Sequence, residues 1–337
     1  MFLLACYNLI VTFLPTLKSA IMQARKFMIT TVTLNPAIDR TIVLNHFEYG
    51  SVNRIANSRE DIGGKGINVA RILLALGSDA RAVGFIGKHN YPQVEALLQT
   101  DAIPAEFIYI DAPTRMNIKL LESSTHITTD INEAGFTVNR QDISAVRKLV
   151  QAAAEGSAYI VFSGSVPIGL SPSIYREIIE SVPSQCRVAL DADGLLLLES
   201  LKTKPFLIKP NIHELESALG RTLSGSREIV EAAEGLIAQY GISYILVSMG
   251  GSGSILVTAE QSLIASPLPV NVKGTVGAGD SMLAGFIHGL TEGYDISASL
   301  AWATACGALA VSQEGTQAFA KSDVERLAAQ VSILAYF

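Results

Sequence analysis

Short apolar runs that alternate with amphipathic segments restrict the fold of this chain more than any other feature of its sequence. Runs with the length and composition of buried strands lie at 29–35, 81–87, 158–164, 187–193, 205–211 and 244–250, and segments with helical apolar spacing lie at 66–77, 142–156 and 226–241. Strands that are apolar on both faces occur in parallel sheets that helices cover on both sides. The pattern therefore predicts an α/β fold, a three-layer sandwich with a mostly parallel central sheet.

Two stretches interrupt this alternation, at about 40–62 and 105–132. Both have the period-two pattern of strands, and neither contains a helical segment. Strands inserted in this way predict a small separate β-sheet that acts as a lid over the strand ends, where α/β folds bind their ligands. Because an open lid sheet exposes an apolar face and an edge, we expect the lids of two chains to pair in a homodimer.

The composition excludes several classes of protein. Hydrophobic residues make up 49% of the 337 residues and charged residues 17%, which is the balance of a globular chain. A formal net charge of −6 provides no long-range attraction for nucleic acid or for an anionic membrane, so neither is an expected partner. Cys6, Cys186 and Cys306 lie far apart without paired spacing. This argues against a disulfide framework or a zinc site and fits a reducing, cytoplasmic location.

The N-terminal segment 1–27 does not fit the rest of the chain. It opens with the apolar run MFLLACYNLIVTFLP, and its first basic residue is Lys18. A signal peptide has its positive charge before the apolar run, and a membrane span needs about 20 apolar residues. We therefore interpret 1–27 as an extension outside the fold, which would begin at Met28, with a weak membrane anchor as the alternative.

The stretch KGTVGAGDSMLAGFIHGL, residues 273–290, combines glycines, a helix start and one carboxylate, Asp280. Gly277 and Gly279 allow the backbone to approach a ligand closely and to turn its N–H groups toward it. The following helix adds the positive end of its dipole, so this corner suits an anion. A carboxylate would repel a bound anion, and this conflict points to chemistry on the anion. The alternative is that Asp280 only caps the helix.

A second glycine cluster, DIGGKGINVARIL at 61–73, also opens a helix and contains Lys65 in its loop. It is not a P-loop, because glycine follows the lysine where that motif has serine or threonine. Its glycine spacing also differs from the dinucleotide fingerprint. The alternative is a plain tight turn, in which case Asn68 in the first helical turn is incidental.

In FLIKPNIHELE, residues 206–216, a strand ends at a proline and Asn211 and Glu214 follow. Their spacing places both side chains on one face of a starting helix, where two oxygen ligands suit magnesium held mostly through water. A capping box formed by the same two residues is an equally good interpretation. Further along, ILVSMGGSGSILV at 245–257 predicts two strands joined by a glycine-rich loop that could lie against a nucleotide.

Two motifs concern the predicted lid. Asp39 in TLNPAID lies where the first strand passes into the lid, and it could accept hydrogen bonds from sugar hydroxyls or serve only as a turn residue. TRMNIK, residues 114–119, places Arg115, Asn117 and Lys119 on one face of a lid strand. That polar face could close on a phosphate, or it could simply be solvated.

Six motifs, in this order, resemble those of the ribokinase-like, PfkB-type carbohydrate kinases: NPAID, GGKGIN, TRMN, SGSVP, KPNIHELE and TVGAGDSM. The resemblance runs from about Met28 to the end of the chain. NPAID and TRMNIK are similar to the phosphosugar branch of 1-phosphofructokinases and tagatose-6-phosphate kinases, and GGKGINVAR, TRMNIKLLE and TVGAGDSM look closest to the former. The resemblance implies ATP- and Mg²⁺-dependent phosphorylation of fructose 1-phosphate to fructose 1,6-bisphosphate. Tagatose 6-phosphate and fructose 6-phosphate stay open as substrates.

The resemblance also implies a role for individual residues. Asp280 would be the general base, and the backbone of Gly277, Ala278 and Gly279 would form the anion hole for the transferred phosphoryl group. Residues implied on the substrate side are Asp39, Gly64, Lys65, Asn68, Arg115 and Ser165. Residues implied on the ATP side are Lys209, Asn211, Glu214, Ser248, Gly250, Gly253 and Thr275. Asn211 and Glu214 would hold magnesium through water, with Asp191 as a third candidate.

Two other classes of protein are alternatives to a sugar-phosphate kinase. A non-catalytic regulator that binds a sugar or a nucleotide would have no need of a base such as Asp280. A nicotinamide oxidoreductase would carry the dinucleotide fingerprint after its first strand, and this chain does not.

Overall fold

The computed structural model describes residues 28–125, 127–313 and 315–336, so the predicted extension at 1–27 lies outside the described residues. The described chain forms a ten-stranded sheet and a separate four-stranded sheet. Within the described ranges, no helix has both the length and the apolar character needed to cross a bilayer. Cys186 and Cys306 are buried free thiols.

The ten-stranded sheet is the central layer, with strand order β14-β13-β12-β11-β10-β9-β8-β1-β4-β5. Its strands are Ile29–Thr33 (β1), Ala80–Gly87 (β4), Ala105–Ile110 (β5), Tyr159–Ser163 (β8), Arg187–Asp191 (β9), Leu207–Ile208 (β10), Tyr244–Ser248 (β11), Ser254–Val257 (β12), Ser262–Ala265 (β13) and Ile333–Tyr336 (β14). Pairing is parallel from β5 through β11 and antiparallel from β11 to β14. The mostly parallel sheet predicted from the apolar runs is thus confirmed.

Helices cover both faces of this sheet. They are Lys65–Ala75 (α1), Tyr91–Thr100 (α2), Arg140–Glu155 (α3), Ile174–Ile179 (α4), Gly194–Leu201 (α5), Ile212–Leu219 (α6), Gly225–Tyr240 (α7), Ala278–Thr291 (α8), Ile296–Val311 (α9) and Lys321–Ala328 (α10). Side chains of α3 to α7 pack in one hydrophobic core, and side chains of α1, α8, α9 and α10 pack in a second core on the opposite face. The chain is therefore a three-layer sandwich.

Strand β8 shows why a continuous apolar run is required here. Ile160 and Phe162 point into one core, whereas Tyr159 and Val161 point into the other. All four side chains are buried, because each face of the strand lies under helices. A strand with alternating polar residues would place polar groups in one of the two cores, so the period-two pattern is absent from the central strands.

The four-stranded sheet is the lid sheet, made of Ala37–Leu44 (β2), Asn57–Gly63 (β3), Arg115–Glu122 (β6) and Thr128–Asn132 (β7) in the order β3-β2-β6-β7. The prediction that the lid spans 105–132 is wrong for its first part, because β5 (105–110) pairs with β4 at the edge of the central sheet. As an edge strand, β5 has one partly solvated side, with Tyr109 51% exposed. Its sequence therefore shows the same alternation as a lid strand.

The lid sheet is attached to the body by its apolar face. Ile38 and Ile62 pack against Ile67, Ile86 and Leu98 in a third hydrophobic core. Because side chains alternate across a strand, the polar residues next to them in the sequence face the other way. The attachment thus turns a polar surface of the lid toward the ends of the central strands.

Candidate active site

Residues that follow the parallel strands meet at one edge of the central sheet. Asp191 is the last residue of β9, Lys209 directly follows β10, and Ser248 is the last residue of β11. On the other side of β9, β8 ends at Ser163, two residues before Ser165. Since parallel strands end at the same edge, these residues form a polar rim of the kind at which α/β folds bind ligands.

Asp280 lies in the first turn of α8 and is buried, with an exposure of 5%. Gly277 occupies the N-cap position of that helix in the left-handed region, with φ of 77°. The Asp280 carboxylate accepts a hydrogen bond from Nδ2 of Asn68 at 2.8 Å and does not form a capping box with its own helix. The alternative of a plain capping role is therefore not observed, and Asn68 is a direct partner of the carboxylate.

The surroundings of Asp280 change its acidity. Burial raises the pKa of the Asp280 carboxyl to about 6, and the nearby carboxylate of Asp191 adds to the increase. The ammonium groups of Lys65 and Lys209 and the hydrogen bond from Asn68 act in the opposite direction. Such a carboxylate is mostly ionised at neutral pH but accepts a proton more readily than an exposed aspartate. This combination suits a general base.

The corner beside Asp280 is suited to an anion. The first N–H groups of a helix have no partner within the helix, and the positive end of the α8 dipole lies here. Lys209 is buried, and a Cβ placed on Gly279 would lie 3.0 Å from its Nζ. A Cβ placed on Gly277 would lie 3.0 Å from Cγ2 of Thr316. A side chain at Gly279 would crowd the Lys209 ammonium, and one at Gly277 would crowd Thr316 and strain a left-handed backbone.

Asp191 is the centre of a buried charge cluster. Its Oδ1 lies 3.1 Å from Nζ of Lys65, and its Oδ2 lies 3.4 Å from Nζ of Lys209, as an ion pair without hydrogen-bond geometry. Burial alone would raise the pKa of Asp191, but the two ammonium groups hold it below its usual value. Burial likewise favours a lower pKa for Lys65, but Asp191, Asp280 and Glu214 outweigh it and raise the pKa well above its usual value. Lys65 is therefore held as a cation at the rim.

Asn211 and Glu214 form the capping box that the sequence allowed. Oδ1 of Asn211 accepts from the Glu214 N–H at 2.8 Å, and Oε2 of Glu214 accepts from the Asn211 N–H at 2.8 Å. Oε1 of Glu214 is directed to the rim, 3.8 Å from Nζ of Lys65. No group of three or more His, Cys, Asp or Glu within the described residues is arranged to bind a metal directly. Oδ2 of Asp191 accepts no hydrogen bond from the described part of the chain, and Oε1 of Glu214 is not used in the capping box. Two carboxylate oxygens of this kind suit a Mg²⁺ ion that keeps most of its water ligands.

A cleft of about 560 Å³ opens on the substrate side of this cluster. It is lined by Thr33, Asn35, Gly64, Lys65, Arg115, Ser163, Gly164, Ser165, Ala192 and Asp193. Among the described residues, Oγ1 of Thr33, Oδ1 of Asn35 and Oγ of Ser163 are buried without a hydrogen-bond partner. Buried polar atoms are nearly always paired, so unpaired atoms in an open cleft indicate a site for a polar ligand.

Arg115 reaches this cleft in an ordered conformation. Its Nη2 donates to the backbone oxygen of Asn35 at 3.1 Å, and its Nη1 donates to the backbone oxygen of Glu133 at 2.9 Å. Nδ2 of Asn35 in turn donates to Oγ of Ser165 at 3.2 Å. The structure therefore brings four predicted substrate-side residues around one cleft: Gly64, Lys65, Arg115 and Ser165.

A second cavity, of about 570 Å³, lies between the lid sheet and the loops at 276 and 315–316. Asp39, Asn117 and Lys119 line it, and Oδ1 of Asp39 accepts from Nδ2 of Asn117 at 2.8 Å. Burial raises the pKa of Asp39, against the effect of this hydrogen bond. A Cβ on Gly63 would lie 2.0 Å from Oδ2 of Asp39, so the carboxylate lies directly on the loop that opens α1. Asp39 is thus a partly buried acceptor and not a solvated turn residue.

The remaining residues predicted on the ATP side lie in loops beyond β11. Gly253 has φ of 91°, and a Cβ there would lie 2.2 Å from the backbone oxygen of Ala265, which explains glycine at this position without a ligand. Gly250 begins a short 3₁₀ turn and has open space around it. The Thr275 backbone oxygen accepts from the Ala278 N–H at 3.4 Å, which places Thr275 directly before the α8 corner.

Sequence reasoning missed several residues that the structure brings to the site. Thr33, Asn35 and Ser163 line the substrate-side cleft, and Arg71 lies behind Asn68 with its guanidinium buried. Thr33, Asn35 and Ser163 lie at or near the carboxyl ends of predicted strands, and only this position in the sequence could have identified them as site residues. Arg71 lies three residues after Asn68, one helical turn away, but a helical pattern does not reveal that an arginine is buried.

Comparisons with known proteins show the family to which the chain belongs. The pfkB family carbohydrate kinase model matches residues 32–323. The chain is 36% identical to the 1-phosphofructokinase of Rhodobacter capsulatus over 285 residues, 83% of this chain and 90% of that protein. It is 36% identical to the 1-phosphofructokinase of Escherichia coli (strain K12) over 306 residues, 90% of this chain and 97% of that protein. The crystal structure of phosphofructokinase-2 from Escherichia coli in complex with potassium aligns with a TM-score of 0.85 at 26% identity, covering 90% of this chain and 99% of that one.

The chain belongs to the pfkB family of carbohydrate kinases and has the ribokinase-like fold. It is accordingly a phosphotransferase, of a family whose sugar kinases use ATP with a divalent metal. Membership of this family supports neither of the two alternatives, a non-catalytic regulator and a nicotinamide oxidoreductase.

Proposed function

We propose that the protein transfers the γ-phosphoryl group of ATP to the free primary hydroxyl of fructose 1-phosphate, giving fructose 1,6-bisphosphate and ADP. The observation that carries the proposal is the buried Asp280 carboxylate, held by Asn68 beside the glycine corner of α8 and the ammonium group of Lys209. This arrangement offers a proton acceptor and an anion site side by side. The names of the 36%-identical relatives support fructose 1-phosphate as the acceptor.

In this mechanism Asp280 accepts the hydroxyl proton as the sugar oxygen forms its bond to the γ-phosphorus and the bond to the ADP oxygen breaks. The backbone of 277–279 and Lys209 stabilise the negative charge of the transferred group. The sugar oxygen lies between the carboxylate and the phosphoryl group, so their repulsion is tolerable. This resolves the conflict between an acid and an anion site at one helix start.

The substrate-side cleft would hold the phosphate already present on the sugar. Lys65 and Arg115 supply positive charge, and Ser165 supplies a hydroxyl donor. Asp39 would accept hydrogen bonds from sugar hydroxyls on the lid side, and Gly64, which lines the cleft, would lie beside the sugar.

Glu214 and Asp191 would hold Mg²⁺ through its water ligands, and Asn211 would support Glu214 through the capping box. When bound, the metal neutralises charge on the ATP phosphates. On the same side, Ser248, Gly250, Gly253 and Thr275 would line the nucleotide.

A panel of ketose phosphates tests the choice of substrate. We expect kcat/KM for ATP consumption to be highest with fructose 1-phosphate and lower with tagatose 6-phosphate and fructose 6-phosphate. ADP release would be measured with each sugar at saturating Mg²⁺ and ATP. A higher kcat/KM with either of the other two sugars would replace the proposed substrate while leaving the reaction class intact.

The pH dependence of turnover should report the Asp280 carboxyl. Because burial raises its pKa to about 6, kcat/KM is expected to fall about tenfold per pH unit below pH 6 and to be level just above pH 7. The phosphate of the sugar titrates in the same range, so the variant Asn68→Ala provides the control. It removes a hydrogen bond that lowers the Asp280 pKa, and the acid limb should move to higher pH. If the acid limb of the pH profile stays at the same pH in Asn68→Ala, the titrating group is the phosphate of the substrate.

We also propose that two chains pair through their lid sheets. Several large apolar side chains of the lid and its loops are exposed: Phe47, Tyr49, Val52, Ile55, Ile127 and Ile131. Burying such residues in a paired sheet would remove both the apolar face and the free edge. Sedimentation equilibrium should show a dimer, and Ile131→Lys should shift it toward monomer. A wild-type protein that is monomeric at micromolar concentration would contradict the pairing.

A further inference from the structure

We propose that Arg71 is a positioning residue for the reaction: it fixes the orientation of the Asn68 amide, so that the amide NH₂ group holds the Asp280 carboxylate in place. The inference rests on the proposed role of Asp280 as the base. It concerns a residue that lies behind the site and does not reach the substrate.

The first step is the symmetry of an asparagine side chain. Its oxygen and nitrogen have the same shape, and only hydrogen-bond partners decide which of them faces a given neighbour. Nδ2 of Asn68 donates to Oδ2 of Asp280 at 2.8 Å, and Oδ1 of Asn68 accepts from Nη1 of Arg71 at 2.8 Å. A guanidinium can only donate, so it selects the oxygen of Asn68. The NH₂ group is then left to face the ionised carboxylate, whereas the flipped amide would present an oxygen to it.

The second step is that the hydrogen-bonding capacity of Arg71 is used up. Its Nε–H donates to Oδ2 of Asp101 at 2.9 Å, and its Nη2 reaches the same oxygen at 2.8 Å and also donates to the backbone oxygen of Ile62. Its Nη1 donates to Asn68 and to the backbone oxygen of Thr316 at 3.2 Å. With five N–H groups, a guanidinium so engaged has none left for a ligand. Arg71 is 5% exposed, so it does not touch the substrate; it acts through Asn68 and its other hydrogen-bond partners, and its charge also acts to lower the pKa of Asp39.

The third step is that the same guanidinium reaches the anion corner. Thr316, whose backbone oxygen accepts from Arg71, lies against Gly277, where a Cβ would be 3.0 Å from its Cγ2. Arg71 is therefore tied to the base through Asn68 and to the glycine corner through Thr316. Since a displacement of about 1 Å can reduce a rate about 100-fold, a common support for both groups has catalytic value.

The charged groups that face Asp280 come from three elements: Lys65 on α1, Asp191 at the end of β9, and Lys209 after β10. None of them contacts Arg71 through a hydrogen bond or an ion pair among the described residues. A change at Arg71 therefore alters the environment of Asp280 chiefly through the Asn68 hydrogen bond. Loss of that bond favours the protonated carboxyl.

The experiment is a carboxyl ¹³C NMR titration of protein labelled at aspartate, in which the Asp280 signal is identified by its absence from Asp280→Asn. We expect the Asp280 pKa to rise by about one pH unit in Arg71→Met and in Asn68→Ala. Arg71→Lys, which keeps one donor group, should lie between wild type and Asn68→Ala. This titration needs no substrate, so it stays informative if the proposed reaction is wrong.

Asp101→Asn is the matched control. It removes the charge that holds Arg71, but its amide oxygen still accepts from Nε, so the Asn68 contact is retained. We expect a lower thermal midpoint with an unchanged Asp280 pKa. If Arg71→Met lowers the midpoint in the same way and leaves the Asp280 titration at its wild-type position, Arg71 is only a structural clamp and the inference is wrong. If Arg71→Met does not fold, Arg71→Lys decides the question by the same criterion.

Turnover provides the second readout. With the sugar phosphate that the wild type uses best, Arg71→Met should lower kcat about 10- to 100-fold, with a smaller change in KM, because substrate contacts are retained. A 10- to 100-fold rise in KM with an unchanged kcat would count against a positioning role for Arg71. Absence of turnover in the wild type with every ketose phosphate would refute the proposed function, whereas the NMR titration would still test Arg71.

Discussion

The variant Asp280→Asn is expected to lose about 10²–10⁴-fold in kcat while ATP binds with nearly unchanged affinity. The amide keeps the shape of the side chain but cannot accept the hydroxyl proton, so the transition state loses its base. The measurement is kcat with fructose 1-phosphate, together with the ATP dissociation constant from calorimetry.

The same variant should not lose stability. Burial raises the pKa of folded Asp280 to about 6, above the 3.8 of an exposed aspartate, so above pH 6 the ionised group favours the unfolded state. A neutral amide removes that unfavourable term, and the thermal midpoint at pH 7 should be equal or higher. Asp323→Asn, in the first turn of α10, is the matched control and should leave turnover unchanged. Near-normal turnover in Asp280→Asn would contradict the assignment of the base.

The variant Asp191→Asn is expected to lower the free energy of unfolding by about 3–5 kcal/mol. Asp191 is 1% exposed and lies between Lys65 and Lys209, and the latter is 3% exposed. Removing the carboxylate charge leaves a buried ammonium group without its ionic partner, and this penalty exceeds that of losing an exposed ion pair. Urea denaturation followed by circular dichroism measures the change.

A double-mutant cycle separates the coupling energy of the Asp191–Lys209 ion pair from the other destabilising effects of each substitution. Because the carboxylate and the ammonium of Lys209 compensate one another, Asp191→Asn combined with Lys209→Met should be less destabilising than the sum of the two single changes. Glu199→Gln, which removes a half-buried partner of Arg176 and Lys202 at the surface, should change the urea midpoint far less than Asp191→Asn does. If the effects of Asp191→Asn and Lys209→Met are strictly additive, the ion pair between these two residues has little coupling energy.

The central layers of the fold could be predicted because strands such as β8 are buried on both faces and helices such as α7 are buried on one. These differences in burial appear directly as different periodicities. The error at β5 has the same origin, since an edge strand with one solvated side shows the alternation of a lid strand. Which strands pair with each other depends on contacts between segments that are distant in the sequence, so local periodicity does not predict it.

The site residues also differ in whether a local sequence pattern predicts them. Asp280 and Lys65 could be predicted because glycine-opened helix starts have a local sequence signature. For Asn211 and Glu214, local reasoning left two interpretations, and the structure shows the capping box while one oxygen of Glu214 still faces the rim. Arg71 could not be predicted, because its function follows from burial beside Asn68 and from partners that are distant in the sequence.

The most direct test of the central claim is a crystal structure of Asp280→Asn with a non-hydrolysable ATP analogue and fructose 1-phosphate. The account predicts the side chain at position 280 within about 2.6–3.2 Å of the free primary hydroxyl oxygen, and the γ-phosphate against the backbone of 277–279. A structure that places this side chain far from the hydroxyl oxygen, and another acidic side chain in contact with that oxygen, would contradict the account.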